Sequence, residues 1–521
     1  MCVVVRGHIK SLSFWRRSVV HKAYVKLGSI DSSEWILGNL RASIAGEIVV
    51  NSEAAENLST LCDRYGSRFF ATQEEKDAAE FLSTKLREYR LRNVRVEPYI
   101  KYGWNKGELV ELWSWKRGTA RLELLKPVAK GLSCISFANA PSTSNVGVTA
   151  EIYNLESGSR AYVLGHREDI RGKLILDGTY TRPGSYLDTT RGRDPMDLDP
   201  STLYGYLERF GAAGLLYSNR NYGALPITGT ARYGLIGKIP ACGISREASQ
   251  FIVRQMCKET VVANLKVQNT YASGARSYNV IADLPGRVNP KEIILVGGHY
   301  DGLDISVGAM DDAAGACVVL ESARALAKYG PFKRTIRFCC FAGEEVGLNG
   351  STSYVIDHAD ELKNVKLMIN TDAAGISAKT GHGFQVCGPE ELIPYLEGVL
   401  KKIGKFDRDW EVPKVTRDLS SNWDHWPFYM RGVPTAHLRD IPPDPIDHLY
   451  SHTVADTIDK VQLKAIRDAA VILSLVLMEI ADEDEIPVKH TAPEKIARFL
   501  EEIGIAENLR VENRWRREFP N

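Results

Sequence analysis

The strongest constraint on the fold is an alternation that begins after Ala275. Apolar runs SYNVIADLPG, EIILVGG, TIRFCCFAG and VKLMINTDAAG are separated by segments with helical spacing, such as Asp312–Tyr329 with Val318, Val319, Ser322, Ala325 and Leu326 on one stripe. Strands that are continuously apolar, rather than alternating with polar residues, are covered on both faces. Strands alternating with helices of this length imply a largely parallel sheet in an α/β domain. Cys339 and Cys340, neighbours within one such strand, should then point to opposite faces.

The rest of the chain differs in texture. Residues 32–95 show three- and four-residue apolar spacing (Leu58, Leu61, Cys62, Tyr65; Leu82, Leu86, Tyr89) and are predicted helical. From 96 to about 270 short β-type runs (VRVEPYI, GVTAEIYNL, GKLILDG, GLLYSN) are separated by Gly, Pro and Ser clusters. Helices are expected over Ser351–Leu362, Glu391–Ile403 and Asp459–Ile480. A last one should open with a capping box from Thr491 to Glu494. At 521 residues the chain is too long for one ordinary core.

Net charge of +1 gives no electrostatic case for nucleic acid or an anionic membrane. The longest apolar run, Ala469–Ala481, is too short to span a bilayer. The nine cysteines are odd in number and lack CxxC spacing, which favours reduced thiols and a cytoplasmic setting. Residues 1–30 carry Arg6, Lys10, Arg16, Arg17, Lys22 and Lys26 but no acid, and read as a basic N-terminal extension, with a transit peptide as the other reading.

Five polar segments punctuate the α/β region: GGHYDG, GAMDDAAG, FAGEE, INTDAAG and YSHTVADT. Ligands bind at the carboxyl ends of strands in open α/β sheets. His299 and Asp301 follow one strand, Glu344 and Glu345 a second, and Asp372 a third, so all are expected at one sheet edge. Each has a plain alternative. Asp311 or Asp312 could cap the following helix, the glutamates could be a solvated strand end, and either His448 or His452 could be the C-terminal ligand. His358 and His382 read as surface or core residues. Imidazole and carboxylate are zinc donors, and two metals sharing a carboxylate can activate water while an adjacent acid moves its proton.

The motifs SYNVIADLPG, GGHYDG, GAMDDAAG, FAGEEVGLNGS, INTDAAG, WDHWPF and SHTVADTIDK make residues 275–462 resemble the di-zinc exopeptidases of metallopeptidase family 28. The resemblance implies an α/β zinc exopeptidase fold, with a mixed, largely parallel sheet flanked by helices. It implies that His299 and Asp372 hold one Zn2+, Glu345 and His452 the other, and Asp311 bridges them, with Co2+ or Mn2+ as substitutes. It makes Glu344 the general base and Asp301 the partner of His299, and it selects Asp311 over Asp312 and His452 over His448. Asp424 and His425 match a family segment without an assigned role.

GKLILDG followed by YLERFGAAGLLYSN resembles the protease-associated domain inserted in many such enzymes. The expected organisation is an exopeptidase domain over 31–125 and 272–490, a β-rich protease-associated insertion over 126–271, and a charged helical tail over 491–521. The expected substrates are peptides, with an aminopeptidase favoured and a homodimer possible. A carboxypeptidase or dipeptidase on the same scaffold is the alternative, decided by which of Arg417, Asp418, Arg431, Arg439 and Asp440 face the cleft. A metal-free receptor-like homologue would require lost ligands, and none is lost.

Overall fold

The computed structural model describes residues 32–105, 108–177, 198–376, 382–404, 414–440 and 447–515. The whole basic extension over 1–30 and most of the loop 179–200 lie outside them.

Two eight-stranded sheets organise the chain. The first runs in the order Arg92–Tyr99, Ser277–Leu284, Arg334–Phe341, Asn289–His299, Val365–Asn370, Thr435–Asp440, His382–Cys387 and Val415–Arg417. Its centre is parallel: Asn289–His299 pairs in parallel with the strands on both sides, and Val365–Asn370 with Thr435–Asp440. Antiparallel pairings flank that centre. The sheet is therefore mixed, as expected.

Both faces of the central strands are covered, which is why their sequences are continuously apolar. Ile294, Val296, Phe338 and Cys340 pack with helices Ala314–Tyr329 and Leu463–Asp482. Ile293, Leu295, Cys339 and Phe341 pack on the other side with Tyr354 and Phe428. Cys339 and Cys340 do face opposite ways. Each fully buried aliphatic side chain stabilises by roughly 1.5–3 kcal/mol, so this two-sided core fixes the sheet edge on which the polar segments sit. All eight cysteines among the described residues are free. No helix among them is long and apolar enough to cross a membrane.

The second sheet runs in the order Lys130–Leu132, Trp113–Lys126, Val262–Ser273, Val148–Leu155, Leu174–Asp177, Gly214–Ser218, Ala241–Ile244 and Cys134–Ser136. Val148–Leu155 through Ala241–Ile244 are successively parallel. Trp113–Lys126 pairs along nearly its whole length with Val262–Ser273, so this strand straddles the boundary expected at 125/126.

Four local expectations differ from the structure, one being the helix expected over Ser351–Leu362, which runs over Asn349–Asp357. The helix expected from Asp312 is regular only from Ala314, because Asp311 and Asp312 have non-helical backbone angles. The helix expected over Asp459–Ile480 begins at Leu463, after a separate turn at Ile458–Lys460. The capping box at Thr491 does not form: Ala492 precedes helix Pro493–Glu502, and the Thr491 amide donates instead to the Gly432 carbonyl at 2.9 Å.

Candidate metal centre

His299 ends its strand, Asp372 lies two residues past Val365–Asn370, and Glu344 and Glu345 lie just past Arg334–Phe341. Since these strands are mutually parallel, their ends deliver the side chains to one edge. Asp311 comes from the irregular turn before helix Ala314–Tyr329, and His452 from the loop before helix Leu463–Asp482.

These residues form two groups that share one member. His299, Asp311 and Asp372 make one, and Asp311, Glu345 and His452 the other. Asp311 Oδ1 is 3.3 Å from His299 Nε2, and its Oδ2 is 3.1 Å from His452 Nε2. Asp372 Oδ2 lies 3.4 Å from His299 Nε2, and Glu345 Oε2 3.4 Å from His452 Nε2. A tetrahedral ion with bonds of about 2.0–2.1 Å spaces its donors about 3.3–3.4 Å apart, so the separations suit a cation between them. His299 Nε2 and Asp372 Oδ1 are buried without a hydrogen-bond partner, which is costly unless an ion supplies one. The imidazole and carboxylate donors therefore fit a pair of divalent ions.

Neighbouring groups orient the donors. The carbonyl of Asp301 lies 2.9 Å from His299 Nδ1 and its Oδ1 3.4 Å away. A hydrogen bond there places the proton on Nδ1 and leaves Nε2 as the donor toward a metal. Asp301 Oδ1 also accepts from the Glu344 amide at 3.2 Å, so one carboxylate sets both a ligand and the candidate base. His452 Nδ1 faces the Thr228 carbonyl at 3.3 Å, and the Thr228 amide donates to the His452 carbonyl at 2.9 Å. Nearby, the Gly234 amide donates to the Val346 carbonyl at 2.8 Å. Gly347 has φ of +127°, and a Cβ there would lie 2.6 Å from Tyr233 Cα. The segment 228–234, from the second unit (the expected insertion over 126–271), thus touches the chain beside both Glu345 and His452.

Asp312 has a different task. Its Oδ1 accepts from the Gly315 and Ala373 amides at 3.0 and 3.1 Å. It is the capping aspartate, and Asp311 faces the histidines. The side chain of His448 lies outside the described residues. His358 Nε2 donates to the Glu97 carboxylate at 2.8 Å, away from both groups, and His382 is a buried strand residue. Asp424 and His425 are buried but belong to neither group.

The charge balance points the same way. Burial works against the His299 cation, but Asp372, Asp301 and Asp311 outweigh it and hold the ring well above the usual histidine range. Burial is likewise overcome at His452, where Glu345 and Asp311 push it up to about 10. Burial and nearby carboxylates raise Glu344 and Glu345, with His299 pulling the other way at both and His452 at Glu345. The pocket holds more carboxylate than its two histidines can offset.

Sequence reasoning missed Thr228, because a backbone carbonyl has no side-chain signal. It also missed the reach of Arg68. This fully buried guanidinium donates to the carbonyls of Tyr300 (2.5 Å), Leu61 (3.1 Å), Val307 (2.8 Å), Gly308 (2.9 Å) and Gly66. It ties together both ends of the loop between His299 and Asp311.

This arrangement suits a metal-dependent hydrolase. Residues 279–477 match the model of peptidase family M28. Carboxypeptidase Q of Mus musculus is 26% identical over 441 residues, covering 82% of this chain and 86% of that protein. Aminopeptidase YwaD of Bacillus subtilis (strain 168) is 27% identical over 461 residues, covering 86% and 90%. Among solved structures, a peptidase M28 precursor from Shewanella amazonensis shares the fold with a TM-score of 0.71 at 22% identity, over 88% of this chain and 100% of that one. A zinc aminopeptidase from Bacillus subtilis has a TM-score of 0.59 at 23% identity, over 84% and 97%.

Proposed function

We propose that the chain is a zinc-dependent exopeptidase that removes N-terminal residues from peptides, with two ions held by His299, Asp311, Glu345, Asp372 and His452. The observation that carries this reading is the Asp311 carboxylate, which turns one oxygen to each histidine. The ions would supply Lewis acidity, acidifying water and polarising the scissile carbonyl. Glu344 is the general base: its Oε2 lies 4.0 Å from His299 Nε2, and its side chain is partly open to the cleft. It takes a proton from the attacking water and hands it to the leaving amine. Asp301 holds His299 and the Glu344 amide, so ligand and base keep one geometry.

Charge supports an amine-reading site. Asp301, Asp311, Glu344, Glu345 and Asp372 converge here, and two divalent ions leave the set negative, which suits a substrate ammonium better than a carboxylate. The second unit, read as protease-associated in type, shapes the cleft by way of segment 228–234. Similarity to proteins named carboxypeptidase Q keeps a carboxypeptidase or dipeptidase as the second reading. The test compares peptides with a free amine and amidated C-terminus against N-acetylated peptides with a free C-terminus. Cleavage of the first set alone is expected. Cleavage of the second set alone overturns the aminopeptidase assignment in favour of a carboxypeptidase, and cleavage of neither set but of a dipeptide with both termini free overturns it in favour of a dipeptidase.

A further inference from the structure

The SHTVADT segment carries an acid that the proposed chemistry does not use. Asp456 lies four residues past His452 and is 1% exposed. Its carboxylate turns to another part of the chain: Oδ1 accepts from the Ala309 and Met310 amides at 3.0 and 2.7 Å, and Oδ2 from the Asp311 amide at 3.3 Å. Those amides open the irregular turn that bears Asp311. Gly308, with φ of +51° and ψ of +52°, reverses the chain just before them, so that three successive N–H groups converge as an anion-binding concavity.

The other side of the contact is equally constrained. The Thr453 amide and hydroxyl both donate to the Tyr450 carbonyl, at 3.0 and 2.7 Å. The Thr453 hydroxyl in turn accepts from the Ala455 amide at 3.2 Å, and the Asp456 amide donates to the Thr453 carbonyl at 3.3 Å. His452 and Asp456 are therefore fixed to one compact turn. Where that carboxylate docks, His452 is placed relative to Asp311.

We propose that Asp456 is a positioning residue for the metal centre, joining the turn that bears His452 to the turn that bears Asp311 so that the two segments of the Asp311–Glu345–His452 group are assembled together. It touches neither ligand side chain; it acts through the backbone beside them. Hydrogen bonds from backbone amides to a buried carboxylate are charge-assisted and geometrically demanding. An asparagine can reproduce only part of the set, because its amide nitrogen would confront an N–H. The inference rests on the two-ion reading above.

The experiment is chelator competition on the full-length zinc-loaded protein, comparing wild type with Asp456→Asn and Asp456→Ala. Outer partners of metal ligands typically account for roughly 10–100-fold in affinity, so the more weakly held equivalent should leave at roughly tenfold or more lower chelator concentration in Asp456→Asn. kcat should fall with KM little changed. A purely structural role would lower Tm but leave zinc affinity per folded molecule as in wild type, and that result overturns the proposal. Should both variants fail to fold, hydrogen exchange on wild type decides: amides 309–311 should be protected before and after zinc is withdrawn, and rapid exchange in the zinc-depleted chain contradicts preassembly. A wild-type chain that holds no zinc would instead refute the two-ion reading itself.

Discussion

Replacing Arg68 with methionine tests whether the loop between His299 and Asp311 is held from beneath by one guanidinium. The substitution keeps an unbranched side chain but removes every donor. Three of the lost bonds, to Tyr300, Leu61 and Gly308, are fully buried. Hydrogen bonds to a charged group are each worth about 1.5–3 kcal/mol net, which sets a ceiling of about 5–9 kcal/mol. Against this, the variant no longer buries a cation, an effect of several kcal/mol. Subtracting that offset from the ceiling leaves a net loss of about 3–5 kcal/mol, set against a total stability of about 5–15 kcal/mol. Urea unfolding with zinc in excess, followed by tryptophan fluorescence, reads this directly. With a slope of about 3 kcal/mol/M or more, the midpoint should fall by about 1 M. A midpoint within about 0.2 M of wild type, less than about 0.6 kcal/mol on that slope, would refute the reasoning, since carbonyls buried around an absent donor cannot be that cheap.

Glu344→Gln should keep its full complement of zinc while kcat falls by roughly 10²–10⁴-fold, the usual contribution of a positioned base; unchanged turnover removes Glu344 from that role. His452→Ala should retain the ion at His299 and Asp372 and lose the other, whereas Asp311→Ala should weaken both, as read by metal content after dialysis. Acid stability offers a test far from the site. Burial raises the Glu47 carboxyl, but hydrogen bonds from Lys328 and Arg324 outweigh it and bring it down to about 2 from 4.5. A depressed pKa in the fold contributes stability above the unfolded value and loses it as pH falls through the folded one. The stability gap between wild type and Glu47→Gln should therefore be full at pH 6 and shrink between about 4.5 and 2; a gap that does not change with pH counts against the assignment.

The parts of the centre that were legible in the sequence are those that depend on local pattern. Continuous apolar strands revealed their burial, and parallel strands put His299, Glu344, Glu345 and Asp372 at one edge without knowledge of any contact. The choice between Asp311 and Asp312 was not legible from spacing, because both are carboxylates at the start of one helix. Family resemblance made that choice, and the structure supplies a physical reason: two backbone amides occupy the Asp312 carboxylate. Contacts across long separations left no pattern to read. Thr228 offers only its own backbone atoms to His452, and Arg68 meets five carbonyls, none of which depends on the side chain that carries it. The capping box at Thr491 failed for the same reason, since a tertiary bond to Gly432 competed with a local one.

The most direct measurement of the central claim is the number of zinc ions bound per chain, by elemental analysis of protein loaded with zinc and freed of excess. Two equivalents are expected, falling to one in His452→Ala. One or none in the wild type would contradict a centre in which Asp311 serves two ions.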